Sequence, residues 1–466
     1  MSEAPTVTRS LVPKLVETLG AAQVDTSADR IERHTSDWAG LPPHAPEAVL
    51  RPKSTQEVSE VLRLCHEHHQ PVAVQGGLTG LAGAAACQDG ELALSLDRLN
   101  AIELVGDGAL IAGAGATVGA VQAAAREAGA ELGIDFGARG TATIGGAIGT
   151  NAGGLHVIET GMTRAQILGL EVVLADGRVM SELTPMVKVN TGFDLKQLFI
   201  GAEGTLGVVT RACLALRPWR PGLATALLAL PSPDLTPTAL SAARRAFGPD
   251  LSAFEAMWPD YVDTMSARTP FSLPLSAPML LIVEMRDAQS DIASQRMEAF
   301  LEASAEAGWL SDAVVAQSEA QAKALWALRD EGPACYGSAF EEILAFDVSV
   351  PLPALFDVAG RLGEPWQDPA HLYPLTYGHI GDQNLHFVVG SDRTLSDAER
   401  EAISKHVYAM VVAAKGAISA EHGIGMLKKP YLSQGRSPVA IDLMKDMKRT
   451  LDPRGILNPG RVFDMD

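Results

Sequence analysis

The sequence predicts an α+β protein made of two unequal halves and a short carboxyl-terminal helix and tail. Three observations lead there. Two glycine-rich runs, VQGGLTGLAGAA (Val74–Ala85) and GIDFGARGTATIGGAIGTNAGG (Gly133–Gly154), sit between strand and helix patterns in the first part of the chain. The composition changes at Pro218 to Pro221. Beyond that point strands and helices alternate as an antiparallel sheet with helices on one face, continuing to about residue 415. The implied divisions are 1–220, 221–430 and 431–466.

A chain of 466 residues is long enough for two or three units, each with its own core. Its formal net charge of −19 argues against nucleic acid or an anionic membrane surface as partner, since both call for clustered Lys and Arg. The start, MSEAPTVTRSLVPKLVETLG, carries acids and no long apolar stretch, so neither a signal peptide nor a membrane span is expected there, and the expected location is cytoplasmic. The four cysteines form no C-x-x-C pair, which speaks against an iron–sulfur cluster or a structural zinc finger. Redox chemistry would therefore need an organic cofactor and another molecule to take its electrons.

Residues 7–35 read as a helix-rich lead-in. AVLRPKS, from Ala48, then begins a strand that runs into a capping box, Ser54-Thr55-Gln56-Glu57. Val58, Val61, Leu62 and Cys65 follow helical spacing, and Gln70-Pro71 closes the helix before the strand PVAVQ. His66, His68 and His69 fall in the last turn, where a solvated, dipole-complementing face explains them. In ALIAGAGATVGAVQAAAREA (109–128) the third glycine comes one place too late for a dinucleotide fingerprint, so the segment is scaffold. ILGLEVVLADGRVM reads as a hairpin turning at Asp176-Gly177, and LKQLFIGAEGTLGVVTRACLALRP as helix, glycine turn and strand. The last helix starts at Ser437-Pro438 and runs to about Leu451.

Both glycine runs leave the backbone bare. Consecutive unobstructed N–H groups make a concavity suited to phosphate, and two such loops suggest an extended phosphate-bearing cofactor. The run at 133–154 is expected to be too glycine-rich for a helix, and a set of tight turns is the competing explanation. The clearest chemical signal is YGHIGDQNLHF (Tyr377–Phe387) taken with SAEHGIG (Ser419–Gly425). Gly381, Asp382 and Asn384 favour strand–turn–strand, which brings His379 and His386 to one end of a sheet. With Glu421 and His422 they fit a catalytic zinc or manganese site, and fit equally the polar residues of an ordinary hairpin.

QGGLTG, GARGTATIGGAIGTNAGG, DLKQLFIGAEGTLGVVT and the pair GHIGDQNLH with SAEHGIG together resemble the flavin-dependent D-2-hydroxyacid dehydrogenases, members of the vanillyl-alcohol-oxidase-like flavoproteins. The likeness runs from about Asp37 to Phe463. It implies a PCMH-type FAD-binding domain, with the pyrophosphate against Gly76, Gly77, Leu78, Thr79, Gly80 and Leu81. Asp135, Thr141, Gly145, Gly146 and Asn151 would line more of the cofactor, as would Glu203, Gly207 and Val208, with Asn458 returning from the tail. Neither loop has a histidine for covalent attachment, so dissociable FAD is expected. By the same resemblance His379, His386 and Glu421 hold a divalent metal, zinc being expected, and His422 is the general base. Arg329 and Asn384 would bind substrate, although a solvated helix-end arginine beside Asp330 and Glu331 is the plainer account of Arg329.

The implied reaction oxidises a D-2-hydroxy acid to the 2-oxo acid and passes electrons to an electron-transfer flavoprotein or quinone, with a homodimer as one expected assembly. The alternatives are a D-2-hydroxyglutarate dehydrogenase proper, a flavin-binding electron-transfer subunit without substrate chemistry, and a metal hydrolase built on the carboxyl-terminal half. Relatives acting on 2-hydroxyglutarate have a threonine and a lysine where this chain has Pro333 and Ala345, which points to a monocarboxylate or a bulkier apolar acid. Gln383 stands where a glycine is usual and is expected to alter the turn or narrow the pocket.

Overall fold

The β-α-β pattern ahead of the first glycine run folds as a four-stranded sheet in the order Val24–Asp25, Val49–Leu50, Leu92–Ser95, Val72–Gln75, whose last three strands are parallel. The structure is a computed structural model that describes residues 10–106, 108–269, 274–366 and 371–465; residues 7–9 of the expected lead-in lie outside them. The crossover is the helix Thr55–His68, which buries Val58, Val61, Leu62, Leu64 and Cys65. Its expected capping box is only half made. Ser54 Oγ accepts from Glu57 N at 3.2 Å, but the Glu57 carboxylate takes Lys53 N at 2.8 Å, one residue earlier than the motif requires.

A second sheet of five antiparallel strands carries the segment between the two glycine runs (Ala109–Gly113) and the expected hairpin (Ile167–Val173 and Val179–Ser181). LKQL forms a single 3-10 turn, Leu195–Leu198, in place of a longer helix.

The second glycine run contains a helix after all, Ile144–Thr150. Thr143 caps it by accepting from Gly146 N at 3.2 Å, and Ile144, Ala147 and Ile148 are buried beneath it. Packing overrides propensity here: a Cβ at Gly145 would stand 2.8 Å from the Ala114 methyl, so the helix lies too close to its neighbour for any other residue.

The remaining strands form one seven-stranded antiparallel sheet in the order Asp312–Val315, Gly222–Leu230, Met279–Asp287, Leu251–Met257, Leu372–His379, Asn384–Ser391, Glu342–Ser349. Helices cover both of its faces, not one. Thr236–Phe247, Ser290–Glu306, Leu352–Leu362 and Asp397–Ala413 pack on one side, where Leu240, Met297, Leu355 and Val407 join a large core with Phe254, Phe387 and Val389. Pro259–Arg268 and Glu319–Ala339 cover the other through Tyr261, Met265, Leu325, Leu328 and Tyr336. The weak amphipathic signal of Glu319–Ala339 hides this, because Arg329 interrupts its apolar stripe.

The tail after the last helix, Pro438–Leu451, returns to the first sheet, where Leu457 bridges Val72 in parallel. Arg461, fully buried, pairs with Glu91 at 2.7 Å and also donates to Ala86 O. Lys448, also buried, donates to Thr205 O at 2.8 Å and Leu457 O at 2.7 Å. Each buried cation is thus paired or fully hydrogen-bonded, as burial demands.

Candidate active site

His379 ends the first strand of the hairpin Leu372–His379 and Asn384–Ser391, His386 is the third residue of the second, and the register explains why they meet. Glu255 pairs with His379 on one rung, and Tyr377, His386 and Asp347 make the next across three strands. The two imidazole centroids are 5.1 Å apart. SAEHGIG comes in as a loop over this end of the sheet, and ligand atoms of His379, His386 and Glu421 lie within 4.8 Å of one another. Two imidazoles and a carboxylate in one cluster, with His379 buried and His386 and Glu421 half-buried, are a donor set suited to a divalent cation with positions left for substrate.

Two carboxylates that the sequence reading passed over hold this cluster. Glu255 accepts from His379 Nδ1 at 2.7 Å and from Arg329 Nε at 3.1 Å. Arg329 Nη2 stands 2.9 Å from His379 Nε2, and a guanidinium can only donate. Burial lowers the His379 pKa and Glu255 more than offsets it, to about 9. The Arg329 contact pulls the other way, and it decides the tautomer: two donors do not face each other at that distance, so Nδ1 carries the proton and Nε2 a lone pair. Asp347 is the second carboxylate. Its Oδ2 accepts from the backbone N–H of Glu421 at 2.8 Å and of His422 at 3.1 Å, and its Oδ1 accepts from Asn384 Nδ2 at 2.8 Å. Burial works against the Asp347 anion, but His422 and Lys428 outweigh it and hold its pKa well below the carboxylate range. Glu255 is the lone acid of LSAFEAM, and Asp347 follows the apolar run ILAF in its strand; an acid set among apolar residues is the signal that could have found them.

Arg329 is buried, 7% exposed, and sits well inside the helix Glu319–Ala339; the helix-end reading of it does not hold. Pro333 falls in the same helix and has no N–H for the Arg329 carbonyl, and its side chain lies outside the described residues. Tyr261 supplies a donor there, its hydroxyl reaching Leu328 O at 3.1 Å and Arg329 O at 3.5 Å. Asn384 uses its amide N–H groups on Asp347 and Val348 O, while its buried Oδ1 has no partner among the described residues. His422 Nδ1 is 3.7 Å from Asp347 Oδ2, and burial lowers its pKa more than Asp347 raises it, which favours a neutral imidazole. Gln383 adopts φ 72° and turns its amide away to Leu352 N at 3.1 Å.

The glycine loops close on this cluster. A Cβ on Gly153 would collide with the Glu421 carboxylate, and one on Gly77 with Thr141 O, so the two runs touch each other and the second touches the cluster. Glu203 crosses between the halves, accepting from Ile424 N at 2.7 Å and Gly425 N at 2.8 Å, while Asn458 joins Glu203 O at 2.7 Å to Val74 N at 2.7 Å. The side chains of Glu203 and Asn458 are thus occupied in bracing the loops.

Asp135 accepts from Arg139 at 2.6 Å, Asn151 from Arg164 N at 2.9 Å, Thr141 is exposed, and Gly207 packs against Phe199 ahead of the buried Val208. Among the described residues, no protein acceptor is found for any backbone N–H from Gly76 to Leu81. Gln166, in the cleft lined by Gly153 and Gly154, leaves both ends of its buried amide without a partner among the described residues. A row of free amides and an orphaned donor–acceptor pair fit a phosphate-bearing heterocycle.

Residues 222–462 match the FAD linked oxidases, C-terminal domain, and residues 46–181 the FAD binding domain. A mitochondrial D-2-hydroxyglutarate dehydrogenase of Bos taurus is 36% identical, covering 96% of this chain and 82% of the relative. A D-2-hydroxyglutarate dehydrogenase of Xanthomonas citri pv. viticola is 37% identical over 97% of this chain and 96% of its own. Among solved structures, p-cresol methylhydroxylase superposes with a TM-score of 0.77 at 18% identity, over 97% of this chain and 96% of that one, which shows a shared PCMH-type fold. No helix among the described residues is long and apolar enough to cross a membrane. With glycine loops and cluster arranged as above, and with this identity over almost the whole length, the chain belongs to the FAD-linked D-2-hydroxyacid dehydrogenase family.

Proposed function

We propose that this protein oxidises a D-2-hydroxy acid to the 2-oxo acid, using dissociable FAD and a divalent metal, zinc in the first instance, held by His379, His386 and Glu421. The observation that carries the reading is the contact of Gly153 with Glu421, which sets the cofactor loops directly against the histidine cluster. When bound, FAD supplies a two-electron acceptor for the hydride from C2, and the metal a Lewis acid for the 2-hydroxyl and carboxylate oxygens. The protein does the rest. Gly76 to Leu81 present backbone donors to the pyrophosphate. Glu255 fixes the His379 tautomer with the lone pair on Nε2, which would exchange the Arg329 donor for the ion, and holds Arg329 next to the cluster, where it would meet the substrate carboxylate. Asp347 fixes the backbone of Glu421 and His422, so that His422 Nε2 can take the hydroxyl proton as the C–H bond breaks.

Electrons then leave to an electron-transfer flavoprotein or quinone, and cytoplasmic placement stays part of this proposal, whereas some relatives are named as mitochondrial. Anaerobic addition of D- and L-2-hydroxy acids to the yellow protein tests it: bleaching by D-enantiomers alone is expected. A colourless protein, or a flavin that no 2-hydroxy acid reduces, would overturn it.

A further inference from the structure

We propose that the substrate's side chain is uncharged, an alkyl or aryl D-2-hydroxy monocarboxylic acid, and that Ala345 on the edge strand Glu342–Ser349 sets this preference. The inference rests on the reaction proposed above. On the face that carries the Tyr377, His386 and Asp347 rung, the next rung consists of Leu375, Val388 and Ala345. It lies about 6–7 Å further along the strands, within the span of a short side chain. All three members are apolar. Leu375 and Val388 are buried in one cluster with Tyr261, Tyr336 and Phe340, and Ala345 is exposed at the open edge.

Three cations near the cluster among the described residues are already committed. Arg329 spends Nε on Glu255, Nη1 on Asp330 at 3.4 Å and Nη2 on the His379 ring, leaving it for one carboxylate at most. Lys428, 5% exposed, donates to Ser419 Oγ at 2.9 Å and lies 3.9 Å from Asp347. Arg268, beyond the apolar rung, is bound by Asp392 at 2.7 Å and stacked 3.9 Å over Tyr373. Gln383, the other polar side chain in the turn, is held by Leu352 N. Carboxylates meanwhile crowd the neighbouring cluster, where ligand atoms of Asp347, Glu421 and His422 lie within 4.8 Å of one another. A distal carboxylate on the substrate would give up its water at a neutral wall where Ala345 is the exposed member and Arg329, Lys428 and Arg268 are all committed, whereas an alkyl or aryl group needs no such partner.

The test is kcat/KM for D-lactate, D-2-hydroxybutyrate, D-mandelate, D-malate and D-2-hydroxyglutarate on the holoenzyme, alongside product inhibition by the matching 2-oxo acids. The best uncharged acid should exceed both dicarboxylates by about tenfold to a hundredfold. Ala345→Lys, with flavin content checked, should narrow that gap by raising the dicarboxylate figures, since an exposed edge position tolerates the longer side chain. A wild-type preference for D-2-hydroxyglutarate, or tighter inhibition by 2-oxoglutarate than by uncharged 2-oxo acids, would overturn this inference and leave the proposed reaction standing. An Ala345→Lys enzyme with an unchanged ratio would remove Ala345 from the wall. Failure of every D-2-hydroxy acid to reduce the flavin would overturn the reaction itself, and this inference with it.

Discussion

At the residue scale, the cluster separates groups that touch substrate from groups that aim them. In the proposed reaction His422 is of the first kind, so His422→Ala is expected to keep FAD and lose turnover by about 100-fold or more, measured as the rate of anaerobic flavin reduction. Near-normal reduction would sink the general-base role. Glu255 belongs to the second. Glu255→Gln puts an amide where both His379 Nδ1–H and Arg329 Nε–H now find an acceptor, so metal affinity should fall by roughly 10- to 100-fold. Titration of metal into the flavin-loaded variant checks this without turnover, and an unchanged affinity would mean that Glu255 does not fix the tautomer. His379, His386, Glu421 and His422 could be singled out in GHIGDQNLH and SAEHGIG because turn residues place the two histidines at one sheet end and the family resemblance adds the other two. Glu255 and Asp347 could not, because their partners lie far off in sequence and only strand pairing brings them together.

At the element scale, the hairpin carries two of the three proposed metal ligands, and its own packing does not need the ion. Phe387 and Val389, facing away from the cluster, sit in the large core, so His386→Ala or chelation should abolish activity while leaving the flavin spectrum and far-ultraviolet circular dichroism as they were. Full activity in metal-free protein would refute the role. The loops are a different case. Asn458 ties Val74 at the end of the phosphate-loop strand to Glu203, and Glu203 ties the SAEHGIG backbone. Removing that amide by Asn458→Ala leaves the buried Glu203 carbonyl and the half-buried Val74 N–H unsatisfied, at a cost of about 1–3 kcal/mol, and should weaken FAD binding in equilibrium dialysis. An unaltered FAD affinity would restrict Asn458 to stability alone.

At the scale of the whole molecule, Glu284 joins the large sheet to the glycine-loop half. It is buried and accepts from Trp326 Nε1 at 2.7 Å and Thr225 at 3.0 Å, and its Oε1 stands 3.5 Å from Nε2 of His156. Burial alone would raise its pKa, but the hydrogen bond and charge of His156, with Arg286 and Trp326, bring it down to about 2 from 4.5. A depressed carboxylate stabilises the fold above its unfolded pKa and loses that contribution as pH falls through the folded one. Roughly 3 kcal/mol should therefore disappear between about pH 4.5 and pH 2, at 1.36 kcal/mol per unit. Urea midpoints across that range should fall in the wild type and flatten in Glu284→Gln. Equal slopes in the two proteins would show that the contact carries no such linkage.

The sequence by itself determined the α+β class, the place of the composition break, the strand–turn–strand around His379 and His386, and the last helix to within a residue. These are local matters of periodicity, turn residues and caps. Tertiary structure decided what depended on neighbours. It made a helix of IGGAIGT, because Ala114 and the Thr143 cap stabilise what glycine disfavours, and it left the Ser54 capping box half formed. It also put helices on both faces of the seven-stranded sheet and drew Arg329 from an expected helix end into a buried network with Glu255. A buried charge is placed by the partners that pay for its desolvation, and those partners are strangers in sequence.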